Sequence, residues 1–340
     1  MEGVARKWFA ERLGTGALLE RLRARQVPSF SVPQYTGGVV IFLFLLQVAT
    51  GILLMLPYRV DPASANASIE AIVGQVPFGS LMRGIHAWAS HLFVAAMMLH
   101  LASVLLLRRY RAPNELVWLL GLLLLLVGVG LAFTGTILPW NENGYLQARV
   151  SSEMLGQGPV FGGFVKRLLR GGDEVTPWTL NHAYGFHTGV LPAAATLLVL
   201  LHTVQVHRRA PLADPGAVPT IPVYPDFAVR MAAACVGVMA LVVSLATFVP
   251  VPIGEAVDLR ASVLNAQPPW YLLFAHELVG SAPPMILGLP SAQFVLGALS
   301  LVGLFAVGLP FIDRRGSRIT LYVGLVLIAV WGLLTAHAVL

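Results

Sequence analysis

The sequence predicts an all-α, polytopic membrane protein of about seven transmembrane helices, a four-helix bundle followed by a three-helix part. Three observations predict it. Of 340 residues, 57% are hydrophobic and only 11% are charged, with a mean hydropathy of +0.77, whereas a soluble domain averages about 45–50% apolar and roughly 25% charged. Uncharged runs of membrane-spanning length recur along the chain; about 20 residues at ~1.5 Å each cross the hydrocarbon layer. The basic residues fall between these runs rather than in one patch. A water-facing globule and a disordered chain are both excluded, the first for want of surface charge and the second for excess of apolar side chains.

Taken in order, the spans are expected near 38–56, 84–107, 115–138, 185–206, 228–250, 292–312 and 319–338. Residues 1–37 are charged and lack the apolar core of a cleavable signal. Within the N-terminal segment 1–30, Trp8, Phe9, Leu13, Leu18, Leu19 and Leu22 alternate with Arg and Lys, the pattern of an amphipathic helix lying on the membrane surface. Counting loops alternately places 15 basic residues on the N-terminal side and 7 on the other. By the positive-inside bias the N-terminus is expected in the cytoplasm of a bacterial cell whose plasma membrane the chain spans, and an odd number of spans puts Leu340 outside. The net charge of +6 therefore records orientation and not a nucleic-acid partner. Cys235 is the single cysteine and no Cys-x-x-Cys-His is present, so Cys235 reads as a small packing residue.

Two linkers stand out. Residues 139–184, on the outer side, are long and mixed in character, and a loop of that length is usually functional. Residues 207–227 hold Pro211, Pro215, Pro219, Pro222 and Pro225, an extended connector. It divides a four-span domain over 31–210 from a three-span domain over 211–340.

The chemistry is expected from histidines inside the hydrocarbon, where an ionisable group is costly and usually functional. His86 and His100 share the second span, and His187 and His202 the fourth. Fourteen residues at ~100° each return His100 to within about 40° of His86, and fifteen leave His202 within about 60° of His187. The two spans run in opposite directions, so His86 lies level with His187 near the outer side and His100 with His202 near the inner side. The tiers are separated by about 21–22 Å. Facing histidines at two depths can clamp two haem irons. A four-ligand zinc site cannot be built from pairs so far apart.

Glycines support this reading. Gly37 and Gly51 in the first span are fourteen apart, as are Gly121 and Gly135 in the third, and a glycine at each level would let a flat macrocycle approach the backbone. The competing reading is ordinary small-residue helix packing. Arg83, one turn before His86, is placed to pair with a haem propionate or to snorkel to the interface. His207 and Arg208 at the inner end are candidates for a propionate or a quinone head group. His91 points off the ligand face and reads as structural; His182, His276 and His337 default to solvated or capping roles.

The motifs Gly37-Gly38 through Gln47-Val48-Ala49-Thr50-Gly51, Arg83-Gly84-Ile85-His86 with His100, Thr134-Gly135-Thr136-Ile137-Leu138-Pro139-Trp140 and His187-Thr188-Gly189-Val190-Leu191-Pro192 resemble the cytochrome b family of bc1 and b6f quinol oxidoreductases. The resemblance runs from about residue 28 to the end. The fifteen-residue gap between His187 and His202 looks like the b6 type, and the part from about 220 resembles subunit IV, so the chain looks like a fusion of the two.

The resemblance implies an oxidoreductase subunit with two non-covalent, bis-histidine b haems and two quinone sites. Quinol would be oxidised near the outer side, one electron passing to a Rieske iron–sulfur protein and the other through both haems to the inner quinone site. It further implies a c-type cytochrome as acceptor, a homodimeric complex and contact with membrane lipid. The outer site in the family is built from the loop after the third span, here Trp140 to about Leu155, and from a Pro-Glu-Trp-Tyr motif.

The chain departs from that pattern. The motif reads Pro268-Pro269-Trp270-Tyr271, so the carboxylate that would take a quinol proton is a proline. Glu277, Glu142 and His276 lie on the same side and could substitute. Tyr271 with Glu277 are the candidate catalytic pair, and Trp140, Pro268 and Trp270 candidate pocket residues. Tyr35 stands where b6f chains carry the cysteine of an extra haem, so no covalent haem is expected. The Arg-Phe-Tyr before the fourth-span histidine reads His182-Ala183-Tyr184. A dihaem quinone-reactive anchor for another respiratory dehydrogenase or reductase is the alternative, opposed by the three-span part with its Pro-Pro-Trp-Tyr loop. A proton-coupled transporter or an assembly subunit is the reading from a different class.

Overall fold

A computed structural model describes residues 15–209, 219–259 and 266–339. Trp8, Phe9, Leu13, Pro211, Pro215 and Leu340 lie outside the described residues; of the N-terminal surface segment, the helix Thr15–Ala24 is described.

Among the described residues seven helices are long and apolar enough to cross a membrane: Val32–Met55, Gly79–Leu106, Glu115–Ile137, Pro177–Arg208, Val223–Phe248, Ser291–Ile312 and Arg318–Ala338. These are the first to seventh spans below. Each overlaps an expected apolar run nearly throughout, and the first, second, fourth and fifth begin five to eight residues earlier than hydropathy suggests. Local chemistry sets the early starts. Pro33 stands in the first turn of the first span, where its missing N–H costs no bond. Thr176 and Thr179 form a reciprocal capping box around Pro177, which opens the fourth span in its polar approach.

The first span packs on the second and the third on the fourth, with the second also against the third. These four form the bundle. The fifth span covers the first and second, the sixth lies on the third, and the seventh lies on the second. The three-span part thus wraps the bundle rather than standing apart from it. The bundle core contains Leu43, Phe44, Ala89, Phe93, Val94, Met97, Ala132 and Ala195, joined by Val242 of the fifth span and by Tyr271.

The linker 139–184 is itself helical, with Glu142–Gly156 and Gly162–Arg170 preceding the start of the fourth span; inner denotes the side of the bundle that carries the N-terminal segment and outer the opposite side. Asn141 caps the first of these through the Gly144 N–H at 2.8 Å and also donates to the Ile253 carbonyl. The strand-like stretch after the fifth span is tied here by Glu142 N–H to Glu255 O at 3.0 Å and Val257 N–H to Trp140 O at 3.2 Å. A further outer helix, Ala65–Gln75, escapes the hydropathy reading because at eleven residues it is far shorter than a span. Its Asn66 donates to Pro139 O and Gly254 O.

On the inner side, β1 (Gln26–Pro28) pairs antiparallel with β2 (Thr220–Pro222). The N-terminal segment is thereby hydrogen-bonded to the connector between the two domains. Tyr35 fills its place in an aromatic cluster, its ring 6.0 Å from Phe30 and 5.4 Å from Phe227.

Candidate cofactor site

The four candidate ligands form two tiers. The imidazole centroids of His86 and His187 are 6.2 Å apart with planes at 75°, and those of His100 and His202 are 6.5 Å apart at 76°. Two metal–nitrogen bonds of about 2.0 Å in line, with each nitrogen ~1.1 Å from its ring centre, give a separation of ~6.3 Å. Both pairs therefore fit a single metal ion held between them, and their spacing is too wide for a direct hydrogen bond between the rings.

Both spacings agree although the second span places its histidines fourteen residues apart and the fourth fifteen. The reason is local. Phe186–Val190, which contains His187, is a π turn closed by the Leu191 N–H on the Phe186 carbonyl. A π turn takes one more residue than an α turn, so it absorbs the extra residue and restores the register of fourteen. Pro192 follows, and its missing N–H removes the α-helical bond to the Thr188 carbonyl.

Each glycine predicted to sit at a tier faces one imidazole. A Cβ added at Gly51 would lie 3.3 Å from His86 Cε1, at Gly135 2.8 Å from His187, at Gly37 3.1 Å from His100 and at Gly121 3.5 Å from His202. The glycines make room for the ligand rings themselves, which adds to the expectation that they let a macrocycle approach the backbone.

Three threonines, which the sequence reading passed over as site residues, orient those rings. Thr50 Oγ1 is 2.8 Å from His86 Nδ1 and donates its proton to the Leu46 carbonyl at 2.7 Å. Thr36 does the same for His100, with 3.0 Å to Nδ1 and 2.8 Å to Val32 O. Since each hydroxyl proton is engaged by a carbonyl, the oxygen accepts, which assigns the hydrogen to Nδ1 and leaves the Nε2 lone pair for a metal. His187 Nδ1 has the Leu131 carbonyl at 3.0 Å and Thr134 at 3.2 Å. His202 lies instead against the Val117 backbone, with no threonine oxygen at its Nδ1 among the described residues. The signal was legible: Thr precedes Gly37, Gly51 and Gly135, whereas Leu120 precedes Gly121, the glycine facing His202.

The inner tier opens into an apolar cavity of about 470 Å³ bounded by Gly37, His100, Gly121 and His202, with Gln34 and His207 nearer the surface. That volume lies in the range of cofactor pockets. The Gln34 Oε1 is buried and, among the described residues, unpartnered. His207 is exposed, its Nδ1 2.7 Å from Thr203 O, and Arg25 donates to its carbonyl at 3.2 Å. Arg208 is exposed at the helix end. Between the tiers, Phe44 and Phe93 stand 6.3 Å apart, each seven residues from a glycine or histidine of either tier.

Arg83 is engaged by protein: it donates to the Val251 and Pro252 carbonyls at 2.7 and 2.8 Å, fastening the end of the fifth span. Trp140 is 2% exposed, packed with Ala65, Phe133, Ile137 and Leu180. Pro268 and Pro269 are buried. Trp270 donates from Nε1 to His91 Nδ1 at 3.1 Å, which gives His91 a structural partner. Tyr271 is buried with its hydroxyl unpartnered among the described residues, and burial pushes that hydroxyl's pKa above the ordinary tyrosine value. Glu277 Oε1 is 3.9 Å from His337 Nε2 in the seventh span. His182 departs from its solvated default: Nε2 is 2.7 Å from Leu168 O and the ring packs 4.7 Å from Phe186.

Fold and site together define an all-helical membrane protein with two tiers of facing histidines. Comparison with known proteins places it further. The cytochrome b/b6 family model matches residues 24–210. The chain is 32% identical over 327 residues to a cytochrome bc complex cytochrome b subunit from Chlorobaculum thiosulfatiphilum, over 92% of this chain and 74% of that one. It is 36% identical over 203 residues to cytochrome b6 of Emiliania huxleyi, over 59% of this chain and 94% of that one. A chain of a hyperthermophilic respiratory Complex III shares the fold, with a TM-score of 0.85 at 24% identity, covering 98% of this chain and 91% of that one. The chain belongs to the cytochrome b/b6 family. Membership implies b-type haem binding and electron transport in a membrane.

Proposed function

We propose that the chain is the dihaem cytochrome b subunit of a Rieske-type quinol oxidoreductase. The observation that carries this reading is the pair of histidine tiers, each with the ring separation that one bis-histidine iron requires. When bound, the haems supply two one-electron carriers at different depths of the membrane. His86 with His187 hold the outer iron and His100 with His202 the inner. Thr50, Thr36 and Thr134 keep the imidazoles in the metal-binding tautomer, and the four glycines leave the rings room to face one another.

On the outer side, Pro268, Trp270 and Tyr271 shape the quinol pocket, Trp270 being fixed by His91. The unpartnered Tyr271 hydroxyl, held protonated by burial, donates a hydrogen bond to a quinol oxygen. With Pro269 in place of a carboxylate, Glu277 receives the released proton and passes it outward past His337. On the inner side, Gln34 and His207 offer polar contacts to a quinone head group in the cavity they line. A Rieske protein and a c-type cytochrome accept the other electron, in a homodimeric complex whose N-termini face the cytoplasm.

Reduced-minus-oxidised spectra of the purified chain test this. Two b-type components are expected; His86→Ala or His187→Ala removes one and His100→Ala or His202→Ala the other. Loss of both components from any single substitution, or no b-type band in the intact chain, overturns the two-tier assignment. Absence of a Rieske protein from the complex as isolated overturns the partner.

A further inference from the structure

Six arginines on the inner side come from two loops far apart in the sequence. Arg108, Arg109 and Arg111 follow the second span, and Arg314, Arg315 and Arg318 lie between the sixth and seventh. Within 108–115 and 313–318 the only acids are Glu115 and Asp313, so the two segments together carry 6 − 2 = +4. Sequence alone assigns these arginines to the orientation bias and no further.

The fold joins the two loops rigidly. Tyr110 donates to Asp313 Oδ2 at 2.5 Å, and the Ser317 N–H closes on Asp313 Oδ1 at 2.6 Å. Arg108 donates to Gly316 O at 2.7 Å and Arg111 to Arg314 O at 2.6 Å. Gly316 is in the left-handed region at φ 75°, and a Cβ there would lie 2.8 Å from Arg111 Nη1 and 3.1 Å from Arg108 Nη1. The left-handed backbone favours glycine at this turn, and a side chain there would also push the two guanidinium groups aside. Trp118 braces the contact by donating to Ala306 O at 2.7 Å. Arg108 and Arg111 thus donate to neutral carbonyls, and the Asp313 carboxylate beside Arg111 offsets only part of the positive charge of the two loops.

Arg109, Arg314, Arg315 and Arg318 are exposed, and among the described residues none of them forms an ion pair. Immediately on the membrane side of this cationic rim, Leu107, Phe311, Ile312 and Ile319 are exposed as well. Fixed guanidinium groups above an uncovered apolar face match an anionic head group above acyl chains, each half satisfying what the other half of the surface lacks. A soluble phosphate fits the rim alone and leaves the apolar face bare.

We propose that this rim is a binding site for an anionic phospholipid, which seals the seam between the four-span and three-span domains at the inner surface. The proposal does not rest on the haem or quinone assignments. The test uses the full chain, or the complex as isolated, in detergent. Phosphatidylglycerol, phosphatidylcholine and inorganic phosphate are offered separately, and bound molecules are counted by native mass spectrometry. Phosphatidylglycerol is expected to be retained over phosphatidylcholine. Replacing Arg314, Arg315 and Arg318 by Gln is expected to weaken that retention about fivefold per arginine, corresponding to ~1 kcal/mol each. The triple Lys variant, which keeps the charge but not the planar fork, is expected to recover part of it. Unaltered b-type absorbance in both variants shows that each has folded. Equal binding of the two lipids, no loss in the Gln variant, or inorganic phosphate displacing the lipid at equal concentration overturns the proposal, as does a rim that retains only an acidic protein.

Discussion

At the scale of single residues, the site rests on how each imidazole is held. His86 and His100 each depend on one threonine oxygen at Nδ1, whereas His187 has the Leu131 carbonyl besides Thr134. Loss of such an outer partner costs about 10–100-fold in metal affinity. Thr50→Val and Thr36→Val should therefore weaken retention of one b-type component each, the outer and the inner, by that order. Thr134→Val should cost much less. Haem content per chain after dilution measures the difference, and equal losses at all three positions would contradict the assignment. The glycines make a second, steric prediction. Gly135→Ala places a Cβ 2.8 Å from His187, a contact that forces the ring to move, while Gly121→Ala places one at 3.5 Å from His202, an ordinary van der Waals contact. The outer component should be lost or spectrally shifted in the first variant and retained in the second.

At the scale of elements, the π turn Phe186–Val190 decides whether the fourth span matches the second. Deleting Gly189, whose surroundings are open, removes the extra residue and lets an α-helix carry His187 and His202 fourteen apart. Both b-type components should survive. Inserting one alanine after Gly189 should instead turn His202 away from His100 by ~100° and abolish the inner component. Equal spectra for the deletion and the insertion would show that the π turn has no part in setting the register. Periodicity arguments could not reveal this element, because they assume a constant rotation per residue. The fifteen-residue gap was visible, but its apparent 60° offset was an artefact of that assumption, and the structure removes it.

At the scale of the molecule, polar staples on each side hold the three-span part against the bundle, and two of them are dense. The outer one runs through Asn141, Glu142 and Trp140 to 253–257. The inner one centres on Asp313, where burial pushes the carboxyl's pKa up but the Tyr110 hydroxyl, the Ser317 and Gly316 amides and Arg111 together hold it below the usual carboxylate range. A depressed folded value stabilises the fold above the unfolded pKa of about 3.9 and is lost as pH falls through the folded value. The inner staple should therefore be intact at neutral pH and fail only in strong acid. Asp313→Asn should remove the acid-dependent part of the melting profile and lower stability by about 1.5–3 kcal/mol at neutral pH. A thermal melt of the variant that overlays the native one at both pH values would refute the role given to Asp313. The outer helix Gly162–Arg170 is held separately: Arg170, 2% exposed, bonds Ser152 Oγ at 2.7 Å and Glu153 at 2.8 Å.

The sequence by itself determined the class, the number of spans and the four histidines with their four glycines. Hydrocarbon imposes unbroken apolar runs and makes every ionisable exception conspicuous, so these features are written locally. It did not determine which threonine meets which imidazole, the π turn that equalises the two histidine gaps, the carbonyl partners of Arg83, or the burial of Trp140. Nor did it show that arginines more than two hundred residues apart form one rim. Those depend on contacts between distant segments, and only the packing of one helix on another decides them.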